Sequence, residues 1–279
     1  LQYFKGVYPF QVLSVHAAIV NLRVKDWPYL FMVASPLAGY GPAVVGLDEA
    51  IFFLFSSFAD KYRKGFVRPN SLLIGEEEKL LLTWENALSY SFAPPSLIKT
   101  APKNIKQSVA CYKKWLGEKD IASASAVLLN KKAGEDFFRK QILEFFPGLV
   151  QALQANDVSF FLDRCQKLVG LGRGSSPTAD DLIFGALVSC HYLSSARLLY
   201  FAPLFIPEEI KKNTTLLGAH MLEMGCRGLA PAVVRNFLLS IFEGKPYVQA
   251  LEKLCSMGAS TGLDIAVSVL FVLTKFFHD

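Results

Sequence analysis

Phe92-Ala93-Pro94-Pro95 marks the point where the chain changes its period. Two consecutive prolines end any regular element, and the residues on either side obey different rules. Before them, short β-branched and aliphatic runs are cut by turn residues. Residues 12–24 are rich in Val, Ile and Leu, 30–34 follow the Trp27-Pro28 break, and 43–47 follow the turn Ala38-Gly39-Tyr40-Gly41-Pro42. Ser71–Ile74 and 79–84 flank Gly75-Glu76-Glu77-Glu78 as a hairpin with a charged turn. Residues 48–59, with Ile51-Phe52-Phe53-Leu54-Phe55, read equally as helix or buried strand. After the prolines, Phe137, Phe138, Ile142, Phe145 and Phe146 recur at helical spacing and Pro147-Gly148 punctuates the run. Further helices are expected near 104–116, 119–130, 157–169, 178–200, 208–227, 230–243, 246–256 and 262–277. The fold class is therefore α+β: a small β-rich N-terminal domain over 1–95, barrel or sandwich, then a larger all-α domain over 96–279.

Composition narrows the class. With 52% hydrophobic and 19% charged residues in a chain of 279, disorder and fibrous repeats are excluded. The mean hydropathy of +0.32 raises the membrane question. However, the longest uncharged run, 27–47, contains Pro28, Pro36 and Pro42, and the apolar run 182–196 is too short to span a bilayer. The net charge of +5 resides in 96–150, which holds 10 Lys and Arg against 5 Asp and Glu. These are scattered lysines such as Lys113, Lys114, Lys131 and Lys132, which read as a solvated helix face and not as a nucleic-acid stripe. Cys111, Cys165, Cys190, Cys226 and Cys255 form no CxxC pair and read as buried, reduced thiols of a cytoplasmic protein. No secretory leader is expected. His191 beside Cys190 and His220 near Cys226 lack further ligands at zinc spacing, so no metal and no cofactor are expected.

One feature rises above this background. Lys167-Leu168-Val169-Gly170-Leu171-Gly172-Arg173-Gly174-Ser175-Ser176-Pro177-Thr178-Ala179-Asp180-Asp181 leads into an apolar helix. Lys253-Leu254-Cys255-Ser256-Met257-Gly258-Ala259-Ser260-Thr261-Gly262-Leu263-Asp264 does so again. Both copies read Lys-Leu, Gly, Ser, three residues, Asp. The chemistry is that of a helix start. Ser176 before Pro177, or Thr178 with Asp181, supplies a cap, and the unpaired N–H groups and helix dipole favour an anion. Gly172, Arg173, Gly174, Ser175, Ser176 and Thr178, with Ser260, Thr261 and Gly262, are the candidate anion-binding residues. Asp180, Asp181 and Asp264 are the candidate catalytic carboxylates, placed to bind a cation or a substrate amide or to orient a nucleophile. A metal-dependent hydrolase using them is a third, weaker reading, because two adjacent acids on a helix cannot both face one pocket squarely. Glycine loop, cap and helix also occur as a purely structural junction. The absence of Gly-Lys-Ser/Thr excludes the phosphate loop of nucleotide hydrolases, and the glycine spacing excludes a dinucleotide fingerprint.

The first motif resembles Gly-Leu-Gly-x-Gly-Leu-Thr-Pro-Ser-Gly-Asp-Asp, the signature of the family containing the AllH subunit of oxamate carbamoyltransferase. Residues 257–264 resemble that family's Gly-His-Thr-Ser-Gly-x-Asp, and Thr214-Thr215 with Gly228 resemble its Thr-Thr…Gly segment. The resemblance covers about 165–275. It departs at Ser175-Ser176, at Thr178-Ala179 and at Ala259, where the family has histidine. It implies a subunit of a carbamoyltransferase complex in anaerobic purine breakdown, with phosphate, carbamoyl phosphate or an oxamate-like acid as the small anionic substrate and other subunits as partners. A non-catalytic interaction or scaffold subunit is the alternative. The missing histidine favours retained anion binding over retained catalysis. Neither nucleic acid nor membrane is expected as a partner.

Overall fold

A computed structural model describes residues 5–27, 30–36, 41–75, 79–84, 91–118, 123–129, 136–202, 204–245 and 248–277. The turn expected at 38–40, the acidic triplet Glu76-Glu77-Glu78 and Lys131 and Lys132 lie outside these. The chain divides into two compact units, Leu1–Ser91 and Phe92–Asp279. Phe92 and Ile98 belong to the second, since the Phe92 carbonyl accepts the Ala230 N–H and the Ile98 N–H donates to Ser195.

The first unit is a curled seven-stranded sheet, a half-barrel. Its strands are β1 (Tyr8–Val15), β2 (Ile19–Val24), β3 (Leu30–Ala34), β4 (Val44–Gly46), β5 (Lys64–Arg68), β6 (Ser71–Ile74) and β7 (Leu80–Thr83), ordered β4-β3-β2-β1-β5-β6-β7. All neighbours are antiparallel except β3 and β4. The apolar stretch 12–24 is therefore two strands, because the His16 N–H bonds the Ile19 carbonyl and closes a tight turn inside it. β5 was not anticipated: Lys64-Gly65-Phe66-Val67-Arg68 alternates only weakly and follows a helix without a break. The hairpin of β6 and β7 pairs Ile74 with Leu80.

The ambiguous stretch is α1 (Glu49–Tyr62). The Asp48 carboxylate caps it by accepting the Ile51 N–H at 2.9 Å, and Phe52, Phe55 and Ala59 fall on one buried stripe against the sheet. Phe53 and Leu54 point away, exposed. A run of five apolar residues cannot be phased by itself; the cap phases it.

The second unit is helical: α2 (Pro102–Glu118), a 3₁₀ turn (Ala124–Leu129), α3 (Phe137–Ala155), α4 (Val158–Leu168), α5 (Thr178–Ser195), α6 (Glu208–Lys211), α7 (Leu216–Cys226), α8 (Ala232–Phe242), α9 (Val248–Cys255) and α10 (Thr261–Phe277). α2 buries Ile105, Val109, Tyr112 and Leu116 at helical spacing and turns Lys103, Lys106, Lys113 and Lys114 to solvent, which accounts for the basic excess. Pro147 does not end α3. Buried Ile142, Phe146, Leu149, Val150 and Leu153 continue the same stripe across it, and packing outweighs the lost backbone bond. The expected helix 208–227 is two, because Thr215 caps a fresh start by accepting the Gly218 N–H at 2.9 Å. No helix among the described residues is long and apolar enough to cross a membrane.

α5 and α10 form the centre. Nearly every side chain of α5 from Thr178 to Leu193 is buried, and α10 is buried from Asp264 to Leu270. They approach closely at Gly185, where a Cβ would lie 2.8 Å from the Ser268 Cβ. Ser268 Oγ donates to the Leu182 carbonyl at 2.6 Å, satisfying a hydroxyl that no water reaches. Gly185→Val should therefore cost about 1–3 kcal/mol in urea unfolding through overpacking. Gly117→Ala, where nothing lies within 4 Å, should not destabilise the chain.

Candidate functional site

The first motif starts α5 in a different way from the cap expected. Pro177 precedes the helix, and no side chain caps it. Ser176 Oγ turns inward instead and donates to Asp181 Oδ1 at 2.5 Å. The buried carboxyl group takes the hydroxyl that would otherwise cap the helix, and three of the helix-start N–H groups are already occupied. Ala179 donates to the Leu171 carbonyl at 2.9 Å, and Asp180 and Asp181 donate to Pro177 at 3.0 and 3.2 Å. The loop carrying these residues needs glycine: Gly170, Gly172 and Gly174 have φ of +84°, +130° and +94°. Thr215 Oγ1 fastens it by donating to the Ser175 carbonyl at 2.5 Å.

Consecutive helix residues point about 100° apart, so Asp180 and Asp181 face different neighbours. Asp180 Oδ1 accepts the Gly170 N–H at 2.8 Å, and its Oδ2 accepts from Thr214 Oγ1. Any Cβ at Gly218 would overlap that oxygen. Asp180 thus ties the glycine loop to the segment before α7. Burial raises its carboxyl to about 6, with the bonds from Thr214 and Gly170 opposing the rise. Both of its oxygens are thereby engaged within the protein.

Asp181 and Asp264 form the other set. Asp264 Oδ1 accepts from Ser123 Oγ and Ser125 Oγ, each at 2.5 Å. Thr261, which opens α10, faces Asp181 on α5, and Thr178, which opens α5, faces Asp264 on α10. Each helix therefore presents its first threonine to the aspartate one turn inside the other. The internal echo is Thr-x-x-Asp, pairing Asp181 with Asp264; the alignment on Ser and Asp180 is displaced by one residue. Both carboxylates are fully buried, and among the described residues neither Oδ2 has a partner at hydrogen-bond distance and angle, although the hydroxyls of Thr261, Thr178 and Ser260 bear on the two groups. Burial pushes Asp181 well above the usual carboxylate range, the Ser176 bond opposes this, and the Asp264 charge adds to it. Asp264 is raised by burial, against the pull of its serine hydroxyls.

The remaining candidates spread outward. Ser176 and Thr178 are buried, Ser260 and Thr261 half-buried, and Arg173, Gly174 and Ser175 exposed. Gly172 packs on the Thr178 backbone, while Gly262 is buried against the Leu254 carbonyl and donates its N–H to Met257 at 2.9 Å. Ala259, at the family's histidine position, is exposed. Ser123 and Ser125 were missed. They sit in Ala122-Ser123-Ala124-Ser125-Ala126, whose only signal is its lack of bulk. Among the described residues no three His, Cys, Asp or Glu side chains converge for a metal. His191 Nε2 lies 3.0 Å from the Cys226 carbonyl oxygen, its ring edge-on to Phe201. Of the cysteines, Cys165, Cys190 and Cys226 are buried, Cys255 is partly so, and Cys111 is exposed on the outer face of α2, against expectation.

Residues 168–273 match the family model described as Oxamate carbamoyltransferase subunit AllH. The resemblance carried by the two motifs is thereby shown, over a segment that runs from the end of α4 into α10 and includes Asp180, Asp181, Thr214 and Asp264. No solved structure matches the chain.

Asp180→Ala would leave the buried Gly170 N–H and Thr214 hydroxyl unsatisfied. Urea unfolding should show a loss of about 2–4 kcal/mol. A second expectation concerns His220, 5% exposed and lowered by burial from 6.5 to about 4. The unfolded chain takes up that proton first, so this contribution is complete above pH 6.5 and disappears as pH falls towards 4. The Tm difference between wild type and His220→Gln should shrink across that interval.

Proposed function

We propose that the chain is a carbamoyltransferase-related subunit whose helical part, 96–279, takes a small anion at the paired starts of α5 and α10. One observation carries this reading: Thr178 facing Asp264 and Thr261 facing Asp181 bring the two motifs of the family-matched segment to one place. The substrate class is phosphate, carbamoyl phosphate or an oxamate-like acid. All three carry an anionic end, and carbamoyl phosphate and oxamate add amide N–H donors. The exposed Arg173, Gly174 and Ser175, with Gly172 behind them, suit the anionic end, Arg173 through a bidentate contact. On substrate binding the hydroxyls of Ser176, Thr178, Ser260 and Thr261 would turn from Asp181 and Asp264 to the carbonyl oxygen, where negative charge develops as the carbamoyl C–O bond to phosphate breaks and the C–N bond forms. Asp181 Oδ2 and Asp264 Oδ2 are acceptors left for a substrate amide hydrogen or for a cation. Asp180 holds the loop in place.

Calorimetric titration with phosphate, oxamate and carbamoyl phosphate should detect at least one of them. Ser176→Ala combined with Thr178→Ala should weaken that binding at least about tenfold, the worth of one hydrogen bond to a charged group. Heat-silent titrations of wild type with all three would remove the proposal.

A non-catalytic subunit is the second reading, and Ala259 favours it: an exposed alanine beside the site offers no proton-transfer group where the family has histidine. On this reading the chain alone shows no carbamoyl transfer and co-purifies with other subunits of a complex, and Ala259→His leaves it inactive.

A further inference from the structure

We infer that the paired helix starts hold one hard divalent cation between Asp181 and Asp264. In each carboxylate Oδ1 is taken by serine hydroxyls, whereas Oδ2 is buried with no partner at hydrogen-bond distance and angle among the described residues. Two such oxygens on helix starts from opposite ends of the motif segment are not an accident of one turn. Leaving a single buried acceptor unmade costs about 1–3 kcal/mol, and more when it is charged. Among the described residues, no lysine, arginine or histidine acts on either carboxylate. The compensating positive charge must therefore come from a bound proton or a bound cation, not from a side chain among the described residues.

The surrounding atoms select the kind of cation. Beyond the two carboxylates, the groups that face them are the hydroxyls of Thr178, Ser260 and Thr261. This is an all-oxygen set without thiol or imidazole, suited to magnesium or manganese and poor for zinc or copper. Among the described residues no third acidic or histidine ligand converges. Two carboxylates with hydroxyls, and further positions for water or a substrate oxygen, follow the habit of magnesium, which keeps part of its shell. Half-buried Ser260 and Thr261 and the exposed Gly174 and Ser175 give a route from solvent. The cation would also remove an electrostatic conflict, because an anion beside two bare carboxylates is repelled whereas one beside a bridged pair is attracted. That last role rests on the function proposed above; the ion site itself rests on the side-chain geometry.

The test uses the full chain stripped with EDTA. Titration with Mn²⁺ followed by electron paramagnetic resonance should show one tightly bound ion per chain. At a hundredfold excess over the dissociation constant, MgCl₂ or MnCl₂ should raise Tm by about 5–10 °C, whereas KCl should not. Asp264→Asn should abolish both signals. Thr261→Val, which keeps both carboxylates and a normal helix start, should weaken Mn²⁺ binding severalfold if the first variant does not fold. No bound Mn²⁺ with no Tm shift, or unchanged affinity in the folded variants, overturns the inference. Oxamate and phosphate titrations run with EDTA and with Mg²⁺ separate the two claims. Bound Mn²⁺ with no anion binding refutes the function and keeps the ion site, while anion binding without bound Mn²⁺ does the reverse.

Discussion

The burial of α5 on every side is the constraint from which the site follows. A helix with one wet face sends its first-turn acids to water and gains a little from its dipole. α5 has no such face: it lies against α10 at the glycine–serine contact of Gly185 and Ser268, and against α7 on another side. Asp180 and Asp181 must then find partners inside the protein. Helical geometry sends one towards the glycine loop and Thr214, the other towards Ser176 and the start of α10.

The two acids meet opposite fates. Asp180 is fully satisfied by a backbone N–H and a hydroxyl, so its burial yields order, fixing where the loop stands relative to α7. Asp181 and Asp264 are half-satisfied, and the charge of one raises the carboxyl of the other. Folded proteins rarely keep such an arrangement for stability, because an apolar replacement is often neutral or better. Perturbed acids held together against that tendency concentrate at functional sites. The satisfied acid thus serves the scaffold, and the unsatisfied pair is what the proposed function draws on.

The glycine loop differs from an open helix start in that the protein itself supplies the acceptors. A bare helix start would offer several N–H donors. Here Leu171 and Pro177 carbonyls take those of Ala179, Asp180 and Asp181, which moves any anion contact outward to Arg173, Gly174 and Ser175. The buried interior is left richer in acceptors than donors. That imbalance distinguishes this junction from an ordinary phosphate cradle and is the physical reason to place a positive charge within it.

Much of this was legible in the residues themselves. The period change at Phe92-Ala93-Pro94-Pro95, the helix starts at Thr178 and Thr261 and the three candidate aspartates depend on local chemistry, since caps, prolines and apolar spacing act within a few residues. The phase of 48–59, the continuation of α3 through Pro147 and the 208–227 break turned on capping or packing that a period count does not weigh. What only the tertiary structure decided is which acid looks where. Ser176 bonds Asp181 instead of capping, Asp180 turns to Thr214, and Ser123 and Ser125 arrive from a distant small-residue run to hold Asp264. Those choices are made by the crossing of two buried helices, and no stretch of chain shorter than that crossing contains them.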